Sequence, residues 1–358
     1  MEIKEIADQI IWNTFLLQQN YNTFLHSSAW IEFNRRQKHE SWQYGLFDDG
    51  SLVSIGLVLK YVTRRGTFLV VPHGVQEKRD GSSTLHIWSP FLKSFAKKQG
   101  CSFVRIQPIA LNTEANKQIF SQAGFRVAPL HLHTEYSSAL DISKPIDEIL
   151  LGMRKTTRQM CKKGEKLVAS GQVEIVEYDS ITNDLYEVYR STFERGNFVP
   201  YSQQYLQDEY ESFAHNSSMT ETNTNPNSNP NQTQNINKAR LFAVKNDGKI
   251  LSFAMILISG KRAFYHQGAN ILSKEIPASY LAQWTGIQWA KEQGCESYDF
   301  WGVSPAGVEN HPWKNISLFK RGFGGVDVDL LHAQDLRVDI KYWLTWCVDT
   351  YRAKKRGF

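Results

Sequence analysis

The sequence predicts an α+β fold of two tandem domains, each built from a mixed twisted sheet flanked by helices. A chain of 358 residues is long enough for two domains of ordinary size. Hydrophobic residues make up 41% and charged residues 22%, so the chain can bury a core, and fibrous or wholly disordered classes are excluded. The third observation, an internal repeat, indicates that the two domains are alike.

Three pairs of segments match in the same order along the chain. They are DGSLVSIGLVL (49–59) with DGKILSFAMIL (247–257), AKKQGC (96–101) with AKEQGC (290–295), and FSQAGF (120–125) with FKRGF (319–323). The offsets are 198, 194 and about 199 residues, so both order and spacing are kept. Asp-Gly between apolar runs predicts a tight hairpin, and Gly after a helical pattern predicts the helix end. Three matches in register favour duplication of one unit over chance recurrence of common turns.

Each copy is predicted to run helix, strand, hairpin, strand, long helix, strand, short helix, strand. Apolar residues at three- and four-residue spacing place the long helices at 83–99 and 279–293. The segment 333–358 is predicted to be an amphipathic helix with a basic end. For this helix two interpretations stay open, packing onto the first domain or contact with a membrane surface.

The domain boundaries follow from the repeat. We expect a first domain at 1–145, completed by the C-terminal segment 326–358, and a second domain at 146–325. The stretch 214–238 is almost wholly Asn, Thr, Ser, Pro and Gln, so we predict a disordered insertion there.

Residues 140–171 are predicted to begin with a strand and to continue as a basic helix. Its cations, among them Arg154, Arg158 and Lys162, are interleaved with apolar residues. The helix is interpreted either as a solvated face or as a strip that faces phosphates.

The overall charge and the cysteine and histidine spacing indicate which partners and which kinds of site the chain can have. The formal net charge is 41 − 36 = +5, which permits a polyanionic partner. The four cysteines contain no CxxC pair, and His131-x-His133 lacks metal-site spacing, so we expect neither disulfides nor a metal. The sequence also contains no signal-peptide core and no apolar run of membrane-spanning length. We therefore expect a cytoplasmic protein.

Seven segments, in order, resemble the Fem family (FemABX) of peptidoglycan bridge-forming aminoacyltransferases. They are SSAWIEF (27–33), VPHGV (71–75), MRKTTRQMCKKGEK (153–166), STFERGNFVPYSQQYLQ (191–207), YHQGAN (265–270), YDFWG (298–302) and LFKRGFGG (318–325). The resemblance implies two GNAT-like domains, in agreement with the repeat. Neither copy carries the [QR]xxGx[GA] loop that holds coenzyme A, and the helical arm of some members has no counterpart, so the chain resembles the armless type.

The resemblance implies transfer of an amino acid from aminoacyl-tRNA to an amine on the stem peptide of a UDP-linked or lipid-linked muropeptide precursor. It implies no cofactor, because an amine attacks an ester that is already activated. A monomer suffices, and contact with the inner face of the membrane stays open. Two alternatives remain: a GNAT-like N-acyltransferase that uses another activated donor, and a non-catalytic module that binds tRNA or a membrane surface.

Site residues are expected from the matching segments. Lys320 and Asp299 are the expected catalytic residues, with Lys320 near the tRNA acceptor end or the developing negative charge and Asp299 as a proton acceptor. The substrate-binding candidates are Arg195, Arg35, Tyr201, Tyr205, Tyr265 and Gln107. The tRNA-binding candidates are Phe319, Lys320, Arg154, Arg158 and Lys162. Asn34 stands near the position of a family lysine that holds precursor phosphates, and Arg35 is the expected substitute.

Overall fold

A computed structural model of the chain describes residues 1–19, 23–64, 66–78, 83–196, 198–215, 236–308 and 310–356. The chain separates into two compact units, Met1–Tyr136 with Val328–Phe358, and Ser137–Asp327. Residues 216–235 of the predicted insertion at 214–238 lie outside the described residues. Ala214 is the last residue of the helix before the insertion, and Asn237 is the first residue of the strand after it.

The secondary structure follows the expected alternation. The strands are β1 (Glu2–Glu5), β2 (Glu40–Asp48), β3 (Ser51–Thr63), β4 (Gly66–Val71), β5 (Gln76–Glu77), β6 (Phe103–Ile106), β7 (Arg126–Val127), β8 (Tyr136–Asp141), β9 (Glu174–Tyr178), β10 (Asn237–Asn246), β11 (Lys249–Ser259), β12 (Arg262–Asn270), β13 (Ser297–Gly302), β14 (Val326–Asp329) and β15 (Gln334–Arg337). The helices are α1 (Gln9–Leu17), α2 (Ser28–Arg36), α3 (Leu85–Lys98), α4 (Glu114–Gln122), α5 (Ile146–Gly152), α6 (Lys155–Ala169), α7 (Asn183–Arg195), α8 (Gln203–Ala214), α9 (Ala278–Glu292), α10 (Lys314–Arg321) and α11 (Tyr342–Arg356).

The sheet of the first unit is mixed. Its order is β1-β2-β3-β4-β6-β15-β7, and β5 pairs with β3. The β4–β6 pair is parallel, while the pairs made by β2 with β3, β3 with β4 and β6 with β15 are antiparallel. Helix α3 makes the long connection that a parallel pair requires. Its buried Trp88 and Leu92 pack in one core cluster with Val58, Leu69 and Val104 of the sheet.

The sheet of the second unit repeats this plan. Its order is β14-β8-β13-β12-β11-β10-β9, and β12 and β13 form its parallel pair. Helix α9 makes the crossover, with Trp284 and Ile287 packed in the same cluster as Ile256, Tyr298 and Phe300. The predicted α+β fold of two similar domains is therefore confirmed.

The repeated Asp-Gly pairs form equivalent turns. Asp49 and Gly50 have φ of 44° and 79°, and Asp247 and Gly248 have φ of 49° and 74°. Positive φ at both central residues is the conformation of a type I′ turn, whose twist matches that of the strands it joins. The two hairpins, β2–β3 and β10–β11, follow from these dipeptides.

Two predicted elements differ from the structure. The expected helix over 333–358 begins only at Tyr342, because residues 334–337 form β15 and pair with both β6 and β7. The basic segment after β8 is two helices, α5 and α6, rather than one.

Each sheet receives a strand from the sequence that follows the other copy. Strand β8 follows the first copy but pairs with β13 in the second sheet, so the boundary falls after Tyr136 rather than after residue 145. Strand β15 follows the second copy and pairs with β6 in the first sheet. The second sheet is formed by one contiguous stretch of chain from β8 to β14, whereas the first sheet needs β15, which follows the second copy.

A buried ion pair fixes the position of β15. Arg105 on β6, with 2% of its side chain exposed, donates from Nε and Nη2 to the two carboxylate oxygens of Asp335, at 2.7 and 2.8 Å. Its Nη1 lies 3.2 Å from Oδ2 of Asp349 on α11. Paired charges of this kind tolerate burial because each neutralises the other.

Helix α11 packs onto the first unit. Tyr342, Thr345, Asp349 and Ala353 are buried, whereas Leu344 and Tyr351 are exposed. Among the described residues, the structure has no helix that is both long and apolar enough to span a membrane.

We predict that Asp335→Asn lowers the free energy of unfolding by about 3–5 kcal/mol, because it leaves the buried guanidinium of Arg105 without its main partner. Urea denaturation measures the loss. The control is Glu114→Ala, which removes an exposed ion pair with Lys117 and should leave stability unchanged. An Asp335→Asn variant as stable as this control would contradict a structural role for the pair.

Candidate active site

The candidate active site lies in the second unit, where the parallel ladder between β12 and β13 ends. The two strands pair over three residues, the last pair being Phe264 with Asp299. Beyond this point the register of β13 against β8 also shifts, between Asp299 and Gly302. Polar groups freed at the end of the ladder must find other partners.

Trp301 occupies this irregular end of β13. Its φ is 59°, a left-handed conformation that is strained for a bulky residue. Its backbone N–H donates to Oδ1 of Asp299 at 2.8 Å. Its ring contacts Phe264 and His266, with centroid separations of 6.0 and 5.4 Å. The carboxylate and the aromatic contacts together hold the strained backbone.

Lys320, in the last turn of α10, reaches this position from outside the sheet. Its side chain is buried, with 6% of the residue exposed. The Nζ donates to the carbonyl oxygen of Gly302 at 2.7 Å and lies 5.5 Å from the centre of the Tyr265 ring. Burial lowers the pKa of Lys320 to about 7, and the charge of Asp299 offsets part of that effect.

Asp299 is surrounded by donors. Besides the N–H of Trp301, its Oδ2 lies 3.2 Å from Nη2 of Arg262 and 3.4 Å from Oγ of Ser137. Burial raises its pKa above the ordinary value, and Arg262 counteracts this in part. The structure thus brings three expected residues together, Lys320, Asp299 and Tyr265, and adds Arg262.

The glycines of the KRGFGG segment are explained by close packing. A Cβ on Gly322 would lie 2.4 Å from Oγ1 of Thr157. Gly324 has a φ of 89°, and a Cβ there would lie 2.7 Å from the Gly152 carbonyl oxygen. Only glycine fits at these positions, so the turn that follows Lys320 is set by contacts with the region of α5 and α6.

The expected tRNA-binding residues separate into different environments. Arg154 donates to the carbonyl oxygen of Leu318, and Arg158 donates to that of Leu151. Phe319 packs against Tyr280 and Phe323 beside the core of the second unit. Lys162 is exposed on α6.

Arg154 therefore supports the helix that carries Lys320. In addition to the bond from its side chain, its backbone N–H donates to the carbonyl oxygen of Gly322 at 2.9 Å. These bonds satisfy carbonyl groups at the C-terminal end of α10, where a cation is also favoured by the helix dipole.

The expected acceptor-binding residues of the second unit lie on and after α7. Arg195 is exposed and donates from Nη2 to Oδ1 and the carbonyl oxygen of Asn270, at 3.2 and 3.0 Å. The rings of Tyr201 and Tyr205 stack with a centroid separation of 4.1 Å. Tyr201 is 48% exposed, so the stacked pair presents an aromatic surface to solvent.

The two expected residues of the first unit lie in different settings. Arg35 is exposed on α2 and forms two hydrogen bonds with the carboxylate of Glu32, at 2.7 and 2.8 Å. Gln107 is buried, donates to Oε1 of Glu135 and accepts from the N–H of Leu132.

A buried pair that the sequence analysis missed lies beside Trp301. Glu209 of α8 is fully buried, pairs with Nδ1 of His266 and accepts from Nε2 of Gln267 at 3.1 Å. The YHQGAN segment contains both β12 residues, but Glu209 sits in a polar helix and gives no local sign of burial. Only the packing of α8 on the sheet brings the three together.

Comparison with known proteins agrees with this fold. The model of the FemAB family matches residues 10–240 and 214–349. No curated protein matches the sequence at a significant level.

Three solved structures are similar over almost the whole chain. FemX has a TM-score of 0.78 at 16% identity, covering 98% of this chain and 100% of its own. L-PGS from Bacillus licheniformis has a TM-score of 0.52 at 14% identity, covering 98% and 99%. A tandem GNAT protein from the clavulanic acid biosynthesis pathway has a TM-score of 0.57 at 10% identity, covering 94% and 98%.

At these identities the structures establish the tandem GNAT-like fold, and the family model establishes the relationship by sequence. The resemblance that the seven segments indicated is therefore confirmed: the chain belongs to the FemAB family.

Proposed function

We propose that this chain transfers an amino acid from aminoacyl-tRNA to an amine on the stem peptide of a peptidoglycan precursor. Membership of the FemAB family makes the chain a transferase of peptidoglycan biosynthesis. The identity of donor and acceptor is the proposed part. The observation that carries it is the buried Lys320, whose Nζ is held by one carbonyl oxygen and one aromatic ring at the end of the β12–β13 ladder.

In the proposed reaction the acceptor amine attacks the ester carbonyl of the aminoacyl-tRNA. A C–N bond forms, the ester C–O bond breaks, and the proton lost by the amine ends on the ribose oxygen that leaves. Negative charge develops on the carbonyl oxygen in the transition state. A preorganised cation in a site that excludes water stabilises this charge strongly. We assign that role to Lys320.

Asp299 is proposed as a positioning residue rather than the proton acceptor. Its oxygens already accept from Trp301, Arg262 and Ser137. Burial raises the pKa of Asp299, and these three donors offset part of that effect and fix the geometry around the carboxylate. Through Trp301 it holds the end of β13, and with it the Gly302 carbonyl that binds Lys320.

The acceptor is proposed to bind at Arg195 and the stacked Tyr201–Tyr205 pair. A guanidinium suits phosphate groups, and an exposed aromatic pair suits a ring such as a nucleobase or sugar. Arg195 uses Nη2 for Asn270, which orients the side chain. Arg35 and Gln107 remain candidates for acceptor binding in the first unit.

The donor is proposed to bind along α6. Thr157, Cys161 and Gly164 form the buried side of this helix, and its lysines at 155, 162, 163 and 166 are exposed. Such a row of ammonium groups suits the phosphates of a tRNA.

A transfer assay tests the reaction itself. Incubation of the protein with a mixed pool of charged tRNAs and muropeptide precursors should give a precursor heavier by one amino-acid residue in mass spectrometry. The mass added identifies the donor. Absence of transfer to both soluble and lipid-linked precursors, with protein that binds charged tRNA, would overturn the proposed activity.

Substitution of Lys320 tests the proposed catalytic role of this residue. Lys320→Ala should lower the transfer rate by roughly 10²–10³-fold, the usual cost of losing one such stabilising group, while the fold is kept. Lys314→Ala changes an exposed lysine of the same helix and serves as the control. Equal rates in the two variants would remove Lys320 from the reaction.

A pH profile tests the charge of the same residue. A lysine is cationic below its pKa, and that of Lys320 is lowered to about 7. The value of kcat/KM for the donor should therefore fall as pH rises through about 7, since kcat/KM reports the free enzyme. Lys320→Ala should lack this fall. If the pH profile of Lys320→Ala had the same shape as that of the unchanged protein, the charge of Lys320 would have no role in the reaction.

Substitution of exposed lysines on α6 tests the proposed donor site. The double variant Lys162→Ala, Lys163→Ala should weaken tRNA binding and reduce the slope of log affinity against log salt by about one for each phosphate that the lysines no longer neutralise. The matched control changes Lys97 and Lys98, an exposed pair at the end of α3. Fluorescence anisotropy at several salt concentrations measures both. Equal slopes in the two double variants would place the tRNA elsewhere.

A further inference from the structure

A cluster of three titratable side chains in the first unit takes no part in the proposed reaction. His131 and Glu135 lie between β7 and β8, and His332 lies just before β15. Their ligand-type atoms all lie within 4.8 Å of one another. The Nδ1 of His131 is 3.5 Å from Oε2 of Glu135, and the Nδ1 of His332 is 2.8 Å from each of the two carboxylate oxygens.

The carboxylate of Glu135 is oriented by a second set of bonds. Its Oε1 accepts from the backbone N–H of Ala333 at 3.0 Å and from Nε2 of Gln107 at 3.2 Å. Only 7% of the Glu135 side chain is exposed. Oε2 faces both imidazoles, whereas Oε1 combines its contact with His332 with the bonds from these two donors. Hydrogen-bond donors that orient a carboxylate in this way are typical of carboxylates that bind a metal ion.

His332 is oriented in the same manner. Its Nε2 lies 2.9 Å from the carbonyl oxygen of Ala128. A carbonyl oxygen only accepts, so Nε2 carries the hydrogen. In the neutral ring, Nδ1 then directs its lone pair at the Glu135 carboxylate. Two electron-rich groups this close require a cation between them, either a proton or a metal ion.

We propose that His131, Glu135 and His332 bind a divalent transition-metal cation, with zinc as the expected occupant. Two imidazole nitrogens and one carboxylate oxygen form a ligand set that zinc accepts, with one position left for water or another group. The side chains of His131 and His332 are 23% and 36% exposed, so the ion can enter from solvent.

The metal joins two segments that are far apart in sequence. Glu135 and His332 are separated by 197 residues, and β15 begins two residues after His332. An ion bound by both segments fixes the start of the strand that Arg105 holds farther along. Its expected effect is on the stability of the first unit, and it does not depend on the proposed transfer activity.

Zinc binding to full-length protein without a histidine tag tests the proposal. The protein is treated with a chelator, dialysed and titrated with zinc, and the bound metal is counted by mass spectrometry. We expect one zinc ion per chain and a rise in Tm of roughly 5–10 °C at zinc about 100-fold above its Kd. Cobalt in place of zinc should give the visible absorption bands of a low-coordinate site.

The variants His131→Ala and His332→Ala should each lower zinc affinity by at least about 10-fold and remove the rise in Tm. The control His86→Ala changes an exposed histidine outside the cluster and should bind zinc as the unchanged protein does. His131→Ala is the more informative variant, because it keeps the bonds that His332 makes to Ala128 and Glu135. Zinc binding that is absent, or equal in His131→Ala and the control, would overturn the proposal and leave the cluster as an imidazolium–carboxylate pair.

Discussion

The three-residue parallel ladder between β12 and β13 determines where the polar groups of the second unit gather. Past Asp299, β13 departs from regular pairing, and Trp301 adopts a left-handed conformation. Buried backbone groups cannot be left without partners, so the N–H of Trp301 binds a carboxylate and the carbonyl oxygen of Gly302 binds Lys320. An irregularity of the sheet thereby brings a lysine into the interior. The rest of the candidate site is arranged around that lysine.

Two buried cations of this protein show how burial leads to different roles. Arg105 meets the carboxylates of Asp335 and Asp349 directly, so its charge is neutralised and it serves the fold. Lys320 binds a neutral carbonyl oxygen and an aromatic ring, and its pKa is lowered to about 7. A buried cation that binds neutral groups is costly for stability and is available to stabilise charge on a substrate.

Strands β8 and β15 lie outside the repeated copies. Because of β15, the first unit depends on both ends of the chain, whereas the second unit is the continuous stretch Ser137–Asp327. The repeat ends before these strands, yet each sheet needs one of them to continue beyond β6 or β13. The partner of β15 is selected by the pairing of Asp335 with Arg105, 230 residues away. The pattern of residues predicts that such a segment is a strand, but it does not predict which of the two sheets the strand joins.

The amino-acid sequence was sufficient to predict the duplicated α+β plan, the two Asp-Gly hairpins, the long helices α3 and α9, and the family. These features depend on local periodicity, on the residues of the turns and on the order of the motifs. All three are properties of the sequence that do not require knowledge of the tertiary contacts. Tertiary packing determined which side chains act together. It placed Arg154 and Phe319 in packing roles, paired Glu209 with His266, and joined His332 to His131 and Glu135. Such roles depend on burial and on partners that lie up to hundreds of residues apart, and no local pattern encodes them.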